Sequence, residues 1–439
     1  MPPASKTTPA PTADENSTHY QKSSATYYTL AALTLVYSFN FIDRQRLSIL
    51  QEPIKNDLSL SDSQLGLLTG FSFALFYVVA GIPLGRMADK GNRRNLISWA
   101  LATWSGMTAL CGLAQNFWQL LLARIGVGVG EAGCSPPAHS MISDIFPLER
   151  RATALSIYST GINIGILFGF LLGGWLNEFF GWRVAFMVVG LPGIILAVIV
   201  RFTVAEPIRG FSEPVRKLDK EETISFPLSQ VVSLLWSRQS FRHLAIGASL
   251  TAFCGYGITS WIAPFILRMH DMNTGELGSW LAMTSVFGAL GTLGSGLLVD
   301  RLGRSDKRWY MWVPAISTLI LGPSFALCIV VDNVYQTLLI NIIPTLVSTV
   351  YVGSCIAMVH ALVNIRMRAV SSAIFFLILN IIGLGLGPLS IGLLSDFLEP
   401  SLGVESLRYA MLIIIPTVTA WAALHFFRAA RYLREDLTV

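Results

Sequence analysis

The chain has 439 residues, of which 53% are hydrophobic and only 13% are charged. Soluble globular proteins carry about 25% charged residues, so the 31 basic and 26 acidic residues here are too few to cover a water-facing surface of this size. A soluble enzyme and a disordered chain are therefore disfavoured. Nucleic acid is disfavoured as a partner despite the net charge of +5, because the basic residues fall between apolar runs, as in membrane proteins.

Apolar runs recur along the chain, and many approach the roughly 20 residues that a bilayer-crossing helix needs. We predict an all-α polytopic membrane protein with twelve transmembrane helices. These spans are residues 26–50, 63–87, 95–115, 117–143, 152–177, 182–203, 243–268, 276–299, 310–331, 335–363, 370–396 and 407–428. The five cysteines all fall in apolar stretches, so we expect small buried side chains rather than disulfides or a metal site.

A long polar connection at residues 204–242 divides the spans into six plus six. We predict an N-terminal six-helix bundle at 25–203, this connection as a cytoplasmic linker, and a C-terminal six-helix bundle at 243–430. Residues 1–24 are rich in Pro, Thr and Ser and are predicted to be a disordered cytoplasmic N-terminus. Residues 431–439 are expected to form a cytoplasmic tail.

The positions of lysine and arginine predict the orientation of the chain, because cytoplasmic loops carry an excess of both. With the N-terminus in the cytoplasm, 24 of the 31 lie on cytoplasmic segments, three lie within spans and four lie on outer loops. The outer four are Lys55, Arg183, Arg268 and Arg408. We therefore expect a multi-pass protein of the cell (inner) membrane with both termini in the cytoplasm.

The two halves of the chain repeat each other. The loop after span two reads GRMADKGNRR from Gly85, and the loop after span eight reads GLLVDRLGR from Gly296, so both contain G-x3-D-[K/R]-x-G, 211 residues apart. Span five contains GILFGFLLGG from Gly165, and span eleven contains GLGLGPLSIG from Gly383, 218 residues later. Two independent motifs at nearly equal offsets predict two six-helix pseudo-repeats.

With these motifs the chain resembles the major facilitator superfamily over about residues 25–430. The loop from Gly85 carries the resemblance most specifically, together with R-x3-G-x-G from Arg124 in span four. A closer resemblance, to the spinster family of lysolipid and sphingolipid transporters, is carried by NFIDR from Asn40 and GVGVGEA from Gly126. The resemblance implies a major facilitator fold, alternating access and a lipid-like substrate.

Five charged side chains lie more than two residues inside the ends of the spans: Asp43, Arg44, Arg46, Arg124 and Glu131. A charge at the bilayer centre costs about 2.5–3.5 kcal/mol on insertion scales, so these residues should pair inside the bundle or line a wet cavity. Arg46 is the expected exception, because it lies near the outer end of span one and its head group can reach the interface.

Glu131 is our first candidate for proton coupling and Asp43 is the second. Glu131 lies two helical turns deeper than Arg124 on the same face of span four, near the midplane, where transporters hold substrates and coupling ions. A carboxylate that exchanges a proton for an arginine partner can act as a switch. We predict no cofactor besides the proton gradient, and no metal.

Arg44 is the expected ligand for an anionic head group, because a guanidinium can bind phosphate bidentately. Two alternatives are internal ion pairs, of Arg44 with Glu131 or Asp43, and of Asp43 with Arg124. The C-terminal spans offer only uncharged polar and aromatic side chains at mid-depth, which suits an amphipathic anion with an acyl chain. The predicted substrate-binding residues are Arg44, Arg124, Asn40, Trp261, Tyr256 and Asn341.

The repeated loop motif predicts a gate at the cytoplasmic end. The resemblance implies that Asp89 contacts the start of span eleven, and we expect Arg94 to reach Asp144. Both contacts would hold an outward-facing state, although the basic residues of the loop could serve topology alone. The predicted gating residues are Gly85, Asp89, Arg93, Arg94, Asp144, Asp300 and Arg301.

The sequence thus predicts a monomeric, proton-coupled secondary active transporter of an amphipathic anion such as a lysophospholipid or a sphingolipid phosphate. A transporter of the same fold for sugar acids, other organic anions or drugs remains an alternative. A membrane sensor without transport is disfavoured, because no segment is long enough for a signalling domain. No GxSxG, HExxH or P-loop pattern occurs, so an enzyme is not predicted.

Overall fold

The structure is a computed structural model that describes residues 23–212, 227–364 and 367–438. All regular elements within these ranges are helices. In chain order they are Ser23–Leu58, Asp62–Lys90, Arg93–Cys111, Phe117–Glu131, Ser135–Ile145, Leu148–Thr203, Leu228–Ser237, Gln239–Met269, Thr274–Leu302, Trp309–Val330, Val334–Ile340, Ile342–Val347, Tyr351–Ala361, Arg368–Leu379, Gly387–Leu402 and Ser406–Thr438, with π-helical turns at Leu67–Phe71 and Asn380–Leu386 and a 3-10 turn at Gly403–Glu405.

These helices confirm the twelve predicted spans. Seven continuous helical stretches of the described chain are long and apolar enough to cross a membrane, and two of them hold two spans each. The helix Leu148–Thr203 turns at Gly181, whose φ of 77° lies in the left-handed region that glycine tolerates, and so contains spans five and six. The stretch Val370–Leu437 contains spans eleven and twelve, which meet at Gly403.

The glycine runs of the two repeats have the same structural role. A Cβ on Gly165 would lie 2.4 Å from the Cβ of Phe41, so glycine allows span five to pack directly on span one. A Cβ on Gly387 would lie 2.4 Å from the carbonyl oxygen of Phe253, so glycine does the same for spans eleven and seven. Small residues allow close helix approach in membranes, and here they do so at equivalent places in both halves.

Both described chain ends lie at one end of the bundle, which we call the terminal end; the opposite end is the distal end. At the terminal end Tyr28 contacts Thr203 at the close of span six. There Arg434 also forms an ion pair of 2.7 Å with Asp306, between spans eight and nine. The five cysteines are all buried and free, as expected.

The distal end carries the four basic residues that the sequence places on outer loops, and each forms an ion pair. The pairs are Lys55–Asp62, Arg183–Asp57, Arg268 with both Glu52 and Asp62, and Arg408–Glu405. The distal end therefore exposes little uncompensated positive charge.

Two parts of the connection between the halves lie within the described residues, and they pack on different bundles. Arg93 donates to Glu206 at 2.8 Å and to the carbonyl of Pro207 at 2.8 Å, which holds the first part against the N-terminal half. The second part contains the helix Leu228–Ser237, which packs on the C-terminal half. Residues 213–226, and nearly all of the predicted disordered segment 1–24, lie outside the described residues.

We predict that Gly165→Ala destabilises the protein, because the added methyl group meets span one. Overpacking of this kind costs about 1–3 kcal/mol. The control is Gly81→Ala in span two, where a Cβ meets no atom within 4 Å and alanine gains up to about 1 kcal/mol in helix propensity. Thermal unfolding of the purified variants should show a lower midpoint for Gly165→Ala only. Equal midpoints would contradict this account of the packing.

Candidate functional site

Span four is broken directly after Glu131. Its first helix ends there, a turn follows at residues 132–134, and a second helix begins at Ser135 with Pro136 and Pro137 in its first turn. Proline lacks an amide N–H and is best accommodated in the first turn of a helix, so two successive prolines favour a new helix start here. The break places the Glu131 carboxylate at a helix end, where it is buried.

Glu131 forms an ion pair with Arg44 of span one. Arg44 Nε donates to Glu131 Oε2 at 2.7 Å, while Glu131 Oε1 has no hydrogen-bond partner among the described residues. The Arg44 guanidinium also lies 4.8–5.2 Å from the ring centres of Phe41, Phe73 and Tyr77. Of the ion pairs considered for Arg44 from the sequence, the structure therefore contains the one with Glu131. The Arg44 side chain keeps 20% exposure.

Asp43 pairs with Arg46 rather than with Arg124. One carboxylate oxygen of Asp43 accepts from Arg46, and the other accepts from the Thr108 hydroxyl of span three. Arg46 is completely buried, and its guanidinium lies 4.4 Å from the ring centre of Phe186. The expectation that Arg46 reaches the outer interface is thus wrong, because the bundle interior supplies both a carboxylate and an aromatic face.

Arg124 is buried, and no anionic side chain of the described residues pairs with it. It is 2% exposed, and its Nε and Nη1 have no acceptor within the described part of the chain. Its guanidinium lies 5.4 Å from the ring centre of Phe73. The Asn40 side-chain oxygen is also buried, with no hydrogen-bond partner in the described segments. Leaving a buried polar or charged group unpaired is costly, so these two side chains could bind a ligand.

A cavity of about 630 Å³ lies between the two halves, lined by spans one, five, seven, eight and ten. All of its lining residues are uncharged, so the five intramembrane charges lie beside it rather than on its wall; Gln45, next to Arg44, does line it. Asn341 also lines it, with an unpartnered side-chain oxygen. Ten lining residues carry hydroxyl groups: Ser156, Ser159, Thr160, Thr259, Thr284, Ser285, Thr292, Thr345, Ser348 and Thr349.

Two of the predicted substrate-binding residues, Trp261 and Tyr256, do not line the cavity. Trp261 is completely buried and donates its indole N–H to the carbonyl of Pro388 at 2.9 Å. It therefore ties span seven to span eleven and does not line the cavity, which corrects the expectation. Tyr256 is half-buried and packs against apolar clusters of both halves, so it lies where the halves meet.

The halves are joined at the distal end by ion pairs around Asp62. Arg268 of span seven donates to both carboxylate oxygens of Asp62 at 2.7 Å, and its Nε donates to Glu52 at 2.7 Å. Ser395 of span eleven also donates to Asp62, at 2.6 Å. Asp62 is 2% exposed, and bidentate pairs of this kind are among the stronger hydrogen bonds in proteins. We call the contacts of Arg268, Asp62 and Asp396 the distal gate.

Asp396 completes the distal gate by binding a helix start. Its carboxylate accepts the backbone N–H groups of Asp62 and Ser63 at 2.9 and 2.8 Å, at the beginning of span two. A negative charge is favourable at a helix N-terminus because the first amide groups lack partners there. Gln51 adds a contact between spans one and seven by donating to the carbonyl of Ser260 at 2.8 Å.

The halves are apart at the terminal end. A Cβ on Gly85 would meet no atom within 4 Å, and Asp89 is exposed, with no hydrogen bond or ion pair to any described residue. Met87 of span two and Leu297 of span eight are 57% and 76% exposed. The contact of Asp89 with span eleven is therefore not made in this conformation, which is closed at the distal end and open at the terminal end.

Asp144 binds Arg93, and not Arg94 as expected. Arg93 is fully buried and pairs with both Asp144 and Glu206, whereas Arg94 donates to Asn95 and to a backbone carbonyl. The reason is rotational: Arg93 is the first residue of span three and points inward, and its neighbour is turned by about 100°. The Arg93–Asp144 pair lies within the N-terminal half and does not bridge the halves.

The second copy of the loop motif makes fewer contacts. Asp300 accepts a hydrogen bond from the Tyr310 hydroxyl at 3.0 Å, and Arg301 is exposed.

The distal gate and the aromatic rings around Arg44 were not predicted from the sequence. From the sequence alone Arg268 indicates only orientation, although Asp62 and Asp396 lie near the ends of spans two and eleven and are possible partners for it.

Twelve spans in two pseudo-repeats, parted at one end around a central cavity, define a membrane transporter. Comparison with known proteins gives the family: the model of the Major Facilitator Superfamily matches residues 33–322. The chain belongs to this superfamily. An MFS-type efflux pump of Mycolicibacterium smegmatis is 33% identical over 409 residues, 93% of each chain. A probable L-galactonate transporter of Escherichia coli is 26% identical over 355 residues, 78% of this chain and 77% of that one.

The similarity extends to a solved structure. A crystal structure of a bacterial homolog of the human lysosomal transporter Spinster, inward-facing and unoccupied, superimposes with a TM-score of 0.87 and 33% identity, covering 94% of this chain and 99% of the other. The spinster-like resemblance read from the motifs is therefore confirmed.

We predict that Arg268→Ala shifts the protein toward closure of the terminal end. The substitution removes three charge-assisted hydrogen bonds, each contributing about 1.5–3 kcal/mol, that hold the distal end closed. Spin labels on Met87→Cys and Leu297→Cys report the distance between the halves there. Arg268→Ala should increase the population of short distances.

The matched control is Arg408→Ala, which breaks an ion pair with Glu405 that does not cross between halves. Its distance distribution should equal that of the unsubstituted protein. An unchanged distribution in Arg268→Ala would show that the distal gate does not set the conformational equilibrium.

Proposed function

We propose that the protein is a proton-coupled secondary active transporter that moves an amphipathic anion, such as a lysophospholipid or a sphingolipid phosphate, by alternating access. The observation that carries this proposal is the Arg44–Glu131 ion pair. It joins two spans of the N-terminal half, and Arg44, at 20% side-chain exposure, is more accessible than Glu131, Asp43 or Arg46. A ligand in the adjacent cavity could therefore reach the cation before the carboxylate.

The coupling follows from competition for Arg44. An anionic head group that binds the guanidinium displaces Glu131, and a buried carboxylate without a counter-charge favours its neutral, protonated form. Binding of the anion and of the proton are then linked. Arg124, which has no anionic partner in the described chain, adds positive potential on the same helix as Glu131.

Asp43 is the second candidate for the proton. Both of its oxygens already accept hydrogen bonds, from Arg46 and Thr108. Glu131 has one oxygen without a partner among the described residues, so it can change partner with less rearrangement. Glu131 therefore remains the better candidate.

The cavity supports an amphipathic substrate. Its uncharged wall includes the apolar side chains of Phe170, Ile258, Ile262 and Leu281 along the junction of the halves, which would accept an acyl chain. The head group would lie toward Gln45 and Arg44. We further propose a monomer in the cell membrane with the terminal end in the cytoplasm, because the distal cations are few and paired. The structure is inward-facing in that orientation.

A transporter of sugar acids or other organic anions is the second candidate. The ten hydroxyl-bearing residues of the cavity wall favour it, because hydroxyl groups can bind a polyol, and the Escherichia coli relative is a probable L-galactonate transporter. Uptake into proteoliposomes from a panel of lysolipids, sugar acids and drugs, with and without a proton gradient, separates the candidates. Uptake of sugar acids alone would overturn the lipid assignment.

We predict that Glu131→Gln abolishes the part of uptake that a pH gradient drives. Glutamine can still accept a hydrogen bond from Arg44 but cannot carry a proton at this position. Movement of the substrate down its own gradient should persist. Glu399→Gln, which replaces an exposed carboxylate at the distal end, is the control and should keep full coupling. Coupling that survives in Glu131→Gln would remove its proton role.

We predict that Arg44→Ala weakens binding of a phosphorylated lysolipid about 10- to 100-fold, the loss expected for one charge-assisted hydrogen bond. Binding of an uncharged lipid with the same acyl chain should change much less. Arg44→Lys should give an intermediate loss for the phosphorylated lipid, because lysine keeps the charge but not the bidentate geometry. Equal losses for both lipids would exclude Arg44 as the head-group ligand.

A further inference from the structure

The helix Leu228–Ser237, just before span seven, has one face packed on the protein. Val231 and Leu235 are completely buried in an apolar cluster of the C-terminal half that includes Phe241 and Phe375. These contacts fix how the helix is rotated about its axis. Its other two faces can therefore be assigned from the sequence and from the exposure of each side chain.

The second face is apolar and exposed. Leu228, Val232 and Trp236 follow one another at intervals of four residues, and their exposed fractions are 62%, 40% and 53%. On a helix these three side chains span an arc of about 80° and form one continuous stripe. We call these three residues the exposed stripe.

The third face is polar. Ser229, Gln230, Ser233 and Ser237 are all exposed, and they occupy the arc on the far side of the exposed stripe from the buried face. The helix thus presents protein-facing, apolar and water-facing surfaces in turn around its axis. This is the arrangement of a helix that lies along a membrane surface.

The depth of the helix agrees with a membrane-surface position. Span seven, Gln239–Met269, has 31 residues and is about 46 Å long, whereas the hydrocarbon core of a bilayer is about 30 Å thick. Its ends therefore extend into the head-group layer. Only Arg238 separates it from the helix Leu228–Ser237. Tryptophan, here Trp236, is enriched at that depth.

Two arginines next to the helix lack anionic partners among the residues that the structure describes. Arg238 and Arg242 are half-buried, and the Nε of each has no acceptor among the described residues. Because each Nε is itself buried, a lipid phosphate at the head-group level would bind the outer guanidinium nitrogens of these half-buried side chains, since guanidinium groups bind phosphate well. This observation is independent of the exposed stripe and favours lipid as its partner.

We infer that the helix Leu228–Ser237 is an in-plane membrane anchor, whose exposed stripe inserts into the boundary between head groups and acyl chains. Its partner is the lipid surface itself. The anchor holds the second part of the connection between the halves against the bilayer beside the C-terminal half. The inference does not depend on the substrate or on proton coupling.

Nitroxide labels at Val232→Cys and, as the matched control, Ser233→Cys test the anchor. The two positions are adjacent in sequence but lie on the stripe and on the polar face, and the five native cysteines are buried. The full-length protein is placed in nanodiscs of phosphatidylcholine and phosphatidylglycerol. Collision rates are measured with oxygen, which concentrates in the bilayer, and with a water-soluble nickel chelate.

The ratio of oxygen to nickel collisions should be several-fold higher at position 232 than at position 233. Equal ratios with strong nickel access would place the stripe in water and overturn the inference. Low access of both reagents at 232 would show that protein covers the stripe, which also overturns it. If Val232→Cys does not elute as folded protein, Leu228→Cys provides the same test on the same face.

Discussion

A charge inside the hydrocarbon layer must be compensated within the protein, and this constraint organises the N-terminal half. Asp43 is neutralised by Arg46 and bound by Thr108, and Glu131 is neutralised by Arg44. These contacts tie together spans one, three and four. The described residues of the C-terminal half include no charge at mid-depth, so the buried ion pairs that its movement must separate are those of Arg268 at the distal gate. In the proposed function, the substrate and the proton both act on the Arg44–Glu131 pair of the N-terminal half.

The two ends of the bundle are related by the internal repeat. Asp396 lies late in span eleven and binds the start of span two. The family resemblance implies the reverse contact for Asp89, which lies at the close of span two and would bind the start of span eleven. The distal contact uses the affinity of a carboxylate for a helix N-terminus, and the expected contact of Asp89 with span eleven would use the same affinity. The distal contact is formed and Asp89 is exposed, so alternating access can be understood as exchange of one contact for the other.

The fold was predictable because its signals are local. Apolar length defines the spans, and glycine spacing defines which helices pack closely, as Gly165 shows. Ion-pair partners were not predictable, since they depend on helix rotation and on distant segments. A turn of about 100° decides that Asp144 binds Arg93 instead of its neighbour. By its position in the sequence Arg46 resembles an interfacial residue, but in the fold its guanidinium packs on the ring of Phe186.

The central claim is that substrate binding transfers Arg44 from Glu131 to the ligand and leaves Glu131 protonated. Infrared difference spectra of the purified protein, recorded on adding the transported anion at neutral pH, measure this directly. The account predicts a new carboxylic-acid carbonyl band on binding, which is absent from Glu131→Gln. A spectrum without that band, or a band that persists in Glu131→Gln, would contradict it.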